Sequence, residues 1–151
     1  MDWRAIRLTI DSRIENIPLV GMAANQICAA AALSEIERGK IELCLVEAVT
    51  NSIEHAYEMR ADQLVEVELE LHDDRIVIRV ADHGLPLPSL EPPRRELDPD
   101  DHANLPEGGM GLFIINSMMS EATYHSEDGR NVLQLVKHLP GGAADRRHPP
   151  S

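Results

Sequence analysis

The sequence predicts an α+β protein: a two-layer sandwich of a mostly antiparallel mixed sheet with helices on one face. Three observations lead there. Segments that alternate apolar and polar residues come in pairs separated by short turns, as hairpins require. Other segments repeat apolar residues at three- and four-residue spacing, which is the helical period. The order along the chain is strand, helix, helix, hairpin, loop, helix, hairpin. Strands joined as hairpins, with helices grouped beside them, stack as two layers.

In "WRAIRLTI", Ile6, Leu8 and Ile10 alternate with other residues, which predicts a first strand. The Ala-rich stretch from Pro18 to Leu33 opens with a proline, as the first turn of a helix tolerates. Ser34 and Glu37 have capping-box spacing and open a second helix, expected to run past Gly39 to about Glu58. Residues 64 to 71 place Val65, Val67, Leu69 and Leu71 on one face and Glu66, Glu68 and Glu70 on the other. "HDD" turns the chain, and "RIVIRVAD" returns as a more buried strand. From His83 to Glu107 no period appears, and six of the ten prolines fall there. An aperiodic stretch of this length in a compact domain is often an active-site lid. Glycines then lead into the helical run of "EGGMGLFIINSMM", and "ATYHSE" and "NVLQLVKHL" pair around "EDGR". Residues 1–139 therefore read as one domain, and 140–151 as a disordered tail with nothing to bury.

A chain of 151 residues and 16.8 kDa suits one domain with a sizeable core. Its formal net charge of −12 argues against direct binding of nucleic acid, whose phosphates need Lys and Arg patches. A protein partner with a basic surface fits better. No apolar run approaches the roughly 20 residues of a membrane span. The start, "MDWRAIRLTIDSRIENIP", lacks the basic and apolar regions of a signal peptide, so the expected location is the cytoplasm. Cys28 and Cys44 fall at apolar helical positions without CxxC spacing, which predicts buried free thiols.

Three constellations point to chemistry. On the second helix, Glu47, Asn51 and His55 recur at every fourth position and form one polar line, opposite Leu45, Val46, Val49, Ile53 and Ala56. Such a line is also what a solvated helix face looks like. In "VADHG" a buried strand ends in Asp82, followed by Gly84. A carboxylate there can accept a hydrogen bond from an exocyclic amine such as adenine's, with glycine allowing close approach, although Asp-x-Gly is equally a turn. Gly108, Gly109 and Gly111 open a helix, where free N–H groups and the dipole make an anion site, or where glycines simply hinge. Polar line, amine-accepting Asp, lid and phosphate-type glycines are together the parts of a nucleotide site.

These stretches resemble the boxes of the histidine-kinase-like ATPase superfamily, shared by sensor kinases and type II topoisomerases. Within it the chain is most similar to the small bacterial anti-sigma-factor serine kinases. "CLVEAVTNSIEHAY" resembles their N box, "VADHG" their first glycine box and "GGMGLFIINSMMSEATY" their second, and the likeness runs from about Trp3 to Leu139. It implies Glu47 as the general base, Asn51 as a ligand of Mg²⁺, and Asp82 with Gly84 at the adenine of ATP. Gly109, Met110, Gly111 and Leu112 are implied at the phosphates, with His55 nearby. The implied partners are a STAS-domain anti-anti-sigma factor as substrate and an alternative sigma factor as sequestered target, bound by a homodimer. One departure stands out. The superfamily's Asp-x-Gly-x-Gly reads "DHGLP" here, with Pro86 at the second glycine, so the lid hinge must differ.

Overall fold

The computed structural model describes residues 3–87 and 109–140. Strand β1 (Arg4–Asp11) leads through a short 3₁₀ turn to helix α1 (Ile17–Cys28) and helix α2 (Glu35–Asn51), which continues as a π-helical turn (Ser52–Ala56). The hairpin β2 (Leu64–Leu71) and β3 (Arg75–Asp82) comes next. After it come helix α3 (Gly109–Met118) and the hairpin β4 (Glu121–Glu127) and β5 (Arg130–His138). Most of the expected lid, Gly108 and the tail from residue 141 lie outside the described residues.

The sheet has the order β1-β2-β3-β5-β4, and its four pairings are all antiparallel. The chain therefore leaves β3, crosses to the far edge for β4, and returns so that β5 fills the gap. That return is a two-residue turn: Asp128 and Gly129 have φ of 52° and 77°, the paired positive values that suit a hairpin's twist.

Alternation decides which face is buried. Val65, Val67, Leu69, Ile76, Ile78, Leu133 and Leu135 point inward and meet Val20 and Ala24 of α1, Leu45 and Val49 of α2, and Ile115 of α3. The other face carries the glutamates of β2, where Arg7 and Arg79 each bind Glu68 at 2.7 Å. Cys28 and Cys44 are buried free thiols as predicted, and burial pushes both up to about 11. Both are therefore protonated and poor nucleophiles at neutral pH.

Two helices differ from expectation. α1 ends at Cys28 instead of Leu33, because the N-cap Ser34 needs an extended backbone (φ −71°, ψ 163°) just ahead of α2. Ser34 Oγ accepts the Glu37 N–H at 3.1 Å, but the Glu37 carboxylate does not complete the box. It binds Lys137 at 2.8 Å and Lys40 at 3.3 Å instead, tying α2 to β5. α2 does not stay regular to Glu58 either. At Ser52 its winding loosens, and the Tyr57 N–H reaches back five residues to the Ser52 carbonyl at 2.9 Å. Glu58 and Met59, at φ of 50° and 66°, then turn the chain toward β2.

Candidate functional site

The inner ends of α2 and β3 meet at a buried polar cluster. Asp82, the last residue of β3, is 6% exposed and faces the helices. Its Oδ2 accepts the Ser52 hydroxyl at 2.8 Å, and its Oδ1 accepts the Asn131 amide at 2.7 Å and the Gly84 N–H at 3.1 Å. Asn131 sits opposite Asp82 in the β3–β5 register and is 2% exposed. Its amide nitrogen also donates to the Gly84 carbonyl at 2.9 Å, while its oxygen accepts from Ser126 Oγ at 2.7 Å. Two fixed acceptors thus decide which end of the amide is nitrogen. A carboxylate offers about four acceptor positions. Three are filled here, and the one left is on Oδ2.

The segment leaving β3 is held at every inward N–H. His83 donates to the Tyr57 hydroxyl at 2.8 Å, Leu85 to the Ala56 carbonyl at 2.9 Å, and Leu87 to the Tyr124 hydroxyl at 2.8 Å. The two tyrosines of the chain are both used for this. Residues 83, 84, 85 and 87 donate inward, and Pro86 between them is exposed, where its missing N–H leaves no buried acceptor unpaired among the described residues. Gly84 has a packing reason as well. A Cβ there would lie 2.2 Å from the Ala56 carbonyl oxygen, so only glycine lets β3's exit rest on the π-helical turn.

Asp82, Asn51 and Ser52 line a common cleft with Tyr124, walled by Ala56, Val80, Leu85, Leu87 and Leu133. The cleft is only about 20 Å³ in the described residues, too small as it stands to enclose a base, but its apolar walls with a few convergent polar groups have the chemistry of a base-binding site. Asn51 is 8% exposed, and its amide nitrogen has no partner among the described residues. A buried polar group left this way asks for a ligand atom. Glu47 lies one helical turn before it, about 6 Å along the axis, half-buried and without a side-chain partner among the described residues. Beyond Asn51 the winding becomes π-helical, and His55 within that turn is exposed.

The remaining glycines open α3, which packs on α2. Gly109, Met110, Gly111 and Leu112 form its first turn, whose N–H groups have no intrahelical acceptor. Leu112 buries its side chain, so a role at an anion falls to its backbone. Leu112 is not among the described residues that line the Asp82 cleft. A separate cleft of about 480 Å³ opens on the far face of the sheet among Arg7, Glu66, Glu68, Arg79 and Arg130. Its arginines are paired with Glu66 and Glu68, and it shares no residue with the Asp82 cleft.

The arrangement fits Mg²⁺ with nucleotide. Among the described residues no three His, Cys, Asp or Glu side chains gather as a metal cage. Mg²⁺ does not require one, since it keeps several waters and takes one or two protein oxygens together with substrate phosphates. The Asn51 amide oxygen is the atom that could serve such a site, while its unpartnered nitrogen is a donor and calls for an acceptor.

Ser52, Asn131, Tyr57 and Tyr124 were not singled out by sequence reasoning. Ser52 adjoins Asn51 and was the nearest to visible. Asn131 and Tyr124 sit on strands 49 and 37 residues from their partners Asp82 and Leu87, and only the sheet register brings them in.

The fold and this site define a nucleotide-binding α+β sandwich, and comparison with known proteins says which. The profile of the histidine kinase-like ATPase domain matches residues 10–137. A Staphylococcus epidermidis protein named serine-protein kinase RsbW is 32% identical over 141 residues, covering 89% of this chain and 86% of the relative. One of the same name from Listeria innocua is 27% identical over 138 residues, covering 89% and 87%. The solved RsbU and RsbW domains of a Mycobacterium tuberculosis protein share the fold, with a TM-score of 0.65 at 18% identity. That match covers 92% of this chain and 33% of the longer one. The chain belongs to the histidine kinase-like ATPases and, within them, to the anti-sigma-factor serine kinases of the RsbW type.

Proposed function

We propose that this chain is an ATP- and Mg²⁺-dependent protein serine/threonine kinase that acts as an anti-sigma factor in the cytoplasm. Its substrate is a hydroxyl of a small STAS-domain anti-anti-sigma factor, its sequestered target is an alternative sigma factor, and its working form is a homodimer. The observation that carries this reading is Asp82, buried and held by three donors beside the unpartnered Asn51 amide. The names of the relatives support the kinase assignment.

In this reading the free acceptor of Asp82 takes the adenine amine, and the apolar walls hold the ring. The first-turn N–H groups of α3 meet the phosphates, and residues 83–107 serve as the lid. Asn51 holds Mg²⁺, which when bound offsets phosphate charge. Glu47 accepts the proton of the attacking hydroxyl as its oxygen bonds the γ-phosphorus. The bond to the bridging oxygen breaks, and ADP leaves. A net charge of −12 also favours capture of partners with basic surfaces.

Transfer of labelled γ-phosphate to the cognate STAS protein tests it. General-base catalysis contributes about 10²–10⁴-fold, so Glu47→Gln is expected to lose transfer by that factor while still binding ATP. Asn51→Ala is expected to lose magnesium-dependent binding and transfer together. An unchanged rate in Glu47→Gln removes it from catalysis and favours the rival reading, a module that binds ATP and sequesters its target without chemistry.

A further inference from the structure

The cleft beside Asp82 contains a second polar group to which the proposed kinase mechanism gives no role. The Tyr124 hydroxyl accepts the Leu87 N–H at 2.8 Å, yet its own hydrogen has no acceptor among the described residues. A tyrosine hydroxyl both accepts and donates, and its hydrogen rotates to suit. Burial raises Tyr124 above its ordinary value of 10, the Leu87 N–H lowers it, and the Asp82 charge raises it again. With that net rise the group stays protonated at neutral pH and remains a donor.

The sheet register explains how the two groups come to share one cleft. Val80, Leu133 and Tyr124 form one cross-strand row, and Asp82, Asn131 and Ser126 form the next on the same face. Tyr124 therefore stands diagonally across β5 from Asp82, and both line the cleft. Besides the Asn51 amide nitrogen, the cleft keeps an uncommitted acceptor at Asp82 Oδ2 and an uncommitted donor at the Tyr124 hydroxyl among the described residues.

That pair has a matching edge on one purine. Adenine carries an amine donor next to a ring nitrogen that accepts. Guanine has a carbonyl oxygen in place of the amine, which would face the Asp82 carboxylate with two acceptors opposed. We propose that Tyr124 is a base-specificity residue, donating its hydroxyl hydrogen to the ring nitrogen beside the adenine amine. The proposal rests on Asp82 being the adenine contact, and it adds the second half of the recognition.

Base analogues separate this role from support of Leu87. The experiment is calorimetric titration of the full chain with Mg-ATP, its 1-deaza and 7-deaza analogues, and the triphosphate of purine riboside, which lacks the amine. Wild type and Tyr124→Phe are compared. A lost neutral hydrogen bond is expected to cost the wild type about tenfold on one of the deaza analogues. Tyr124→Phe should bind ATP about tenfold more weakly and no longer distinguish that analogue from ATP. If the variant weakens ATP and both analogues by one common factor, the hydroxyl serves only Leu87 and the proposal is wrong. It is equally wrong if wild type binds both deaza analogues as well as ATP, a result that needs no variant to fold. If wild type binds the amine-free triphosphate as tightly as ATP, the Asp82 reading itself has failed. Retained amine selectivity with no Tyr124 effect overturns the Tyr124 proposal alone.

Discussion

At Asn131 every polar atom of a 2% exposed side chain is committed inside the protein. Its nitrogen bridges the Asp82 carboxylate and the Gly84 carbonyl, so a single amide ties the end of β3 to the start of β5. Removing one partner of a buried hydrogen bond leaves the others unsatisfied, at about 1–3 kcal/mol each and more where one is charged. Asn131→Ala is therefore expected to destabilise the fold by roughly 2–3 kcal/mol in urea unfolding. It should also weaken ATP binding, because Asp82 loses the donor that orients it. A variant as stable as wild type would show that Asp82 is held without the amide. Ser52 acts from the other side, its hydroxyl reaching Asp82 from the first residue of the π-helical turn.

The π-helical turn and the exit from β3 form a unit, with the Ala56 carbonyl as their meeting point. It accepts the Leu85 N–H at 2.9 Å and leaves no space for a Cβ at Gly84, which would also come within 2.5 Å of the carbonyl carbon. Backbone on both sides cannot give way as a flexible side chain can. Gly84→Ala is expected to cost about 1–3 kcal/mol and to lower ATP affinity by displacing Asp82 two residues away. Thermal unfolding with and without Mg-ATP measures both, and an unperturbed melting temperature in each state would refute the packing argument. The strands here were plainly legible: β2 and β3 lie at 64–71 and 75–82 as their alternation predicts, since one wet face forces a two-residue period. The π-helical turn was not. Four-residue spacing in "LVEAVTNSIEHAY" is equally consistent with an unbroken helix, and the contact of Ser52 with Asp82 that accompanies the looser winding joins residues distant in sequence.

For the molecule as a whole, the antiparallel sheet sorts its residues between two surfaces. Glu66, Glu68 and Glu70 of β2 stay on the open face with their arginines, while the residues between them join the core under the helices. Asp82 breaks that pattern as a carboxylate on the inner face. The polar cluster was legible where its members lie close in sequence, as with Asp82 and Gly84 at one strand end or Asn51 beside Ser52 in the cleft. It was illegible where register supplies the partner, as with Asn131 and Tyr124, and His55 falls in the π-helical turn, where four-residue spacing no longer describes a regular α-helix. The proposed function rests on Asp82 as the contact to adenine, and titration calorimetry of wild type and Asp82→Asn with Mg-ATP and Mg-GTP tests this directly. A charged, buried hydrogen bond is worth about 2 kcal/mol or more, so Asp82→Asn should bind ATP at least roughly 30-fold more weakly, and wild type should strongly prefer ATP to GTP. Equal ATP affinity in the variant, or equal affinity of the wild type for the two nucleotides, would contradict it.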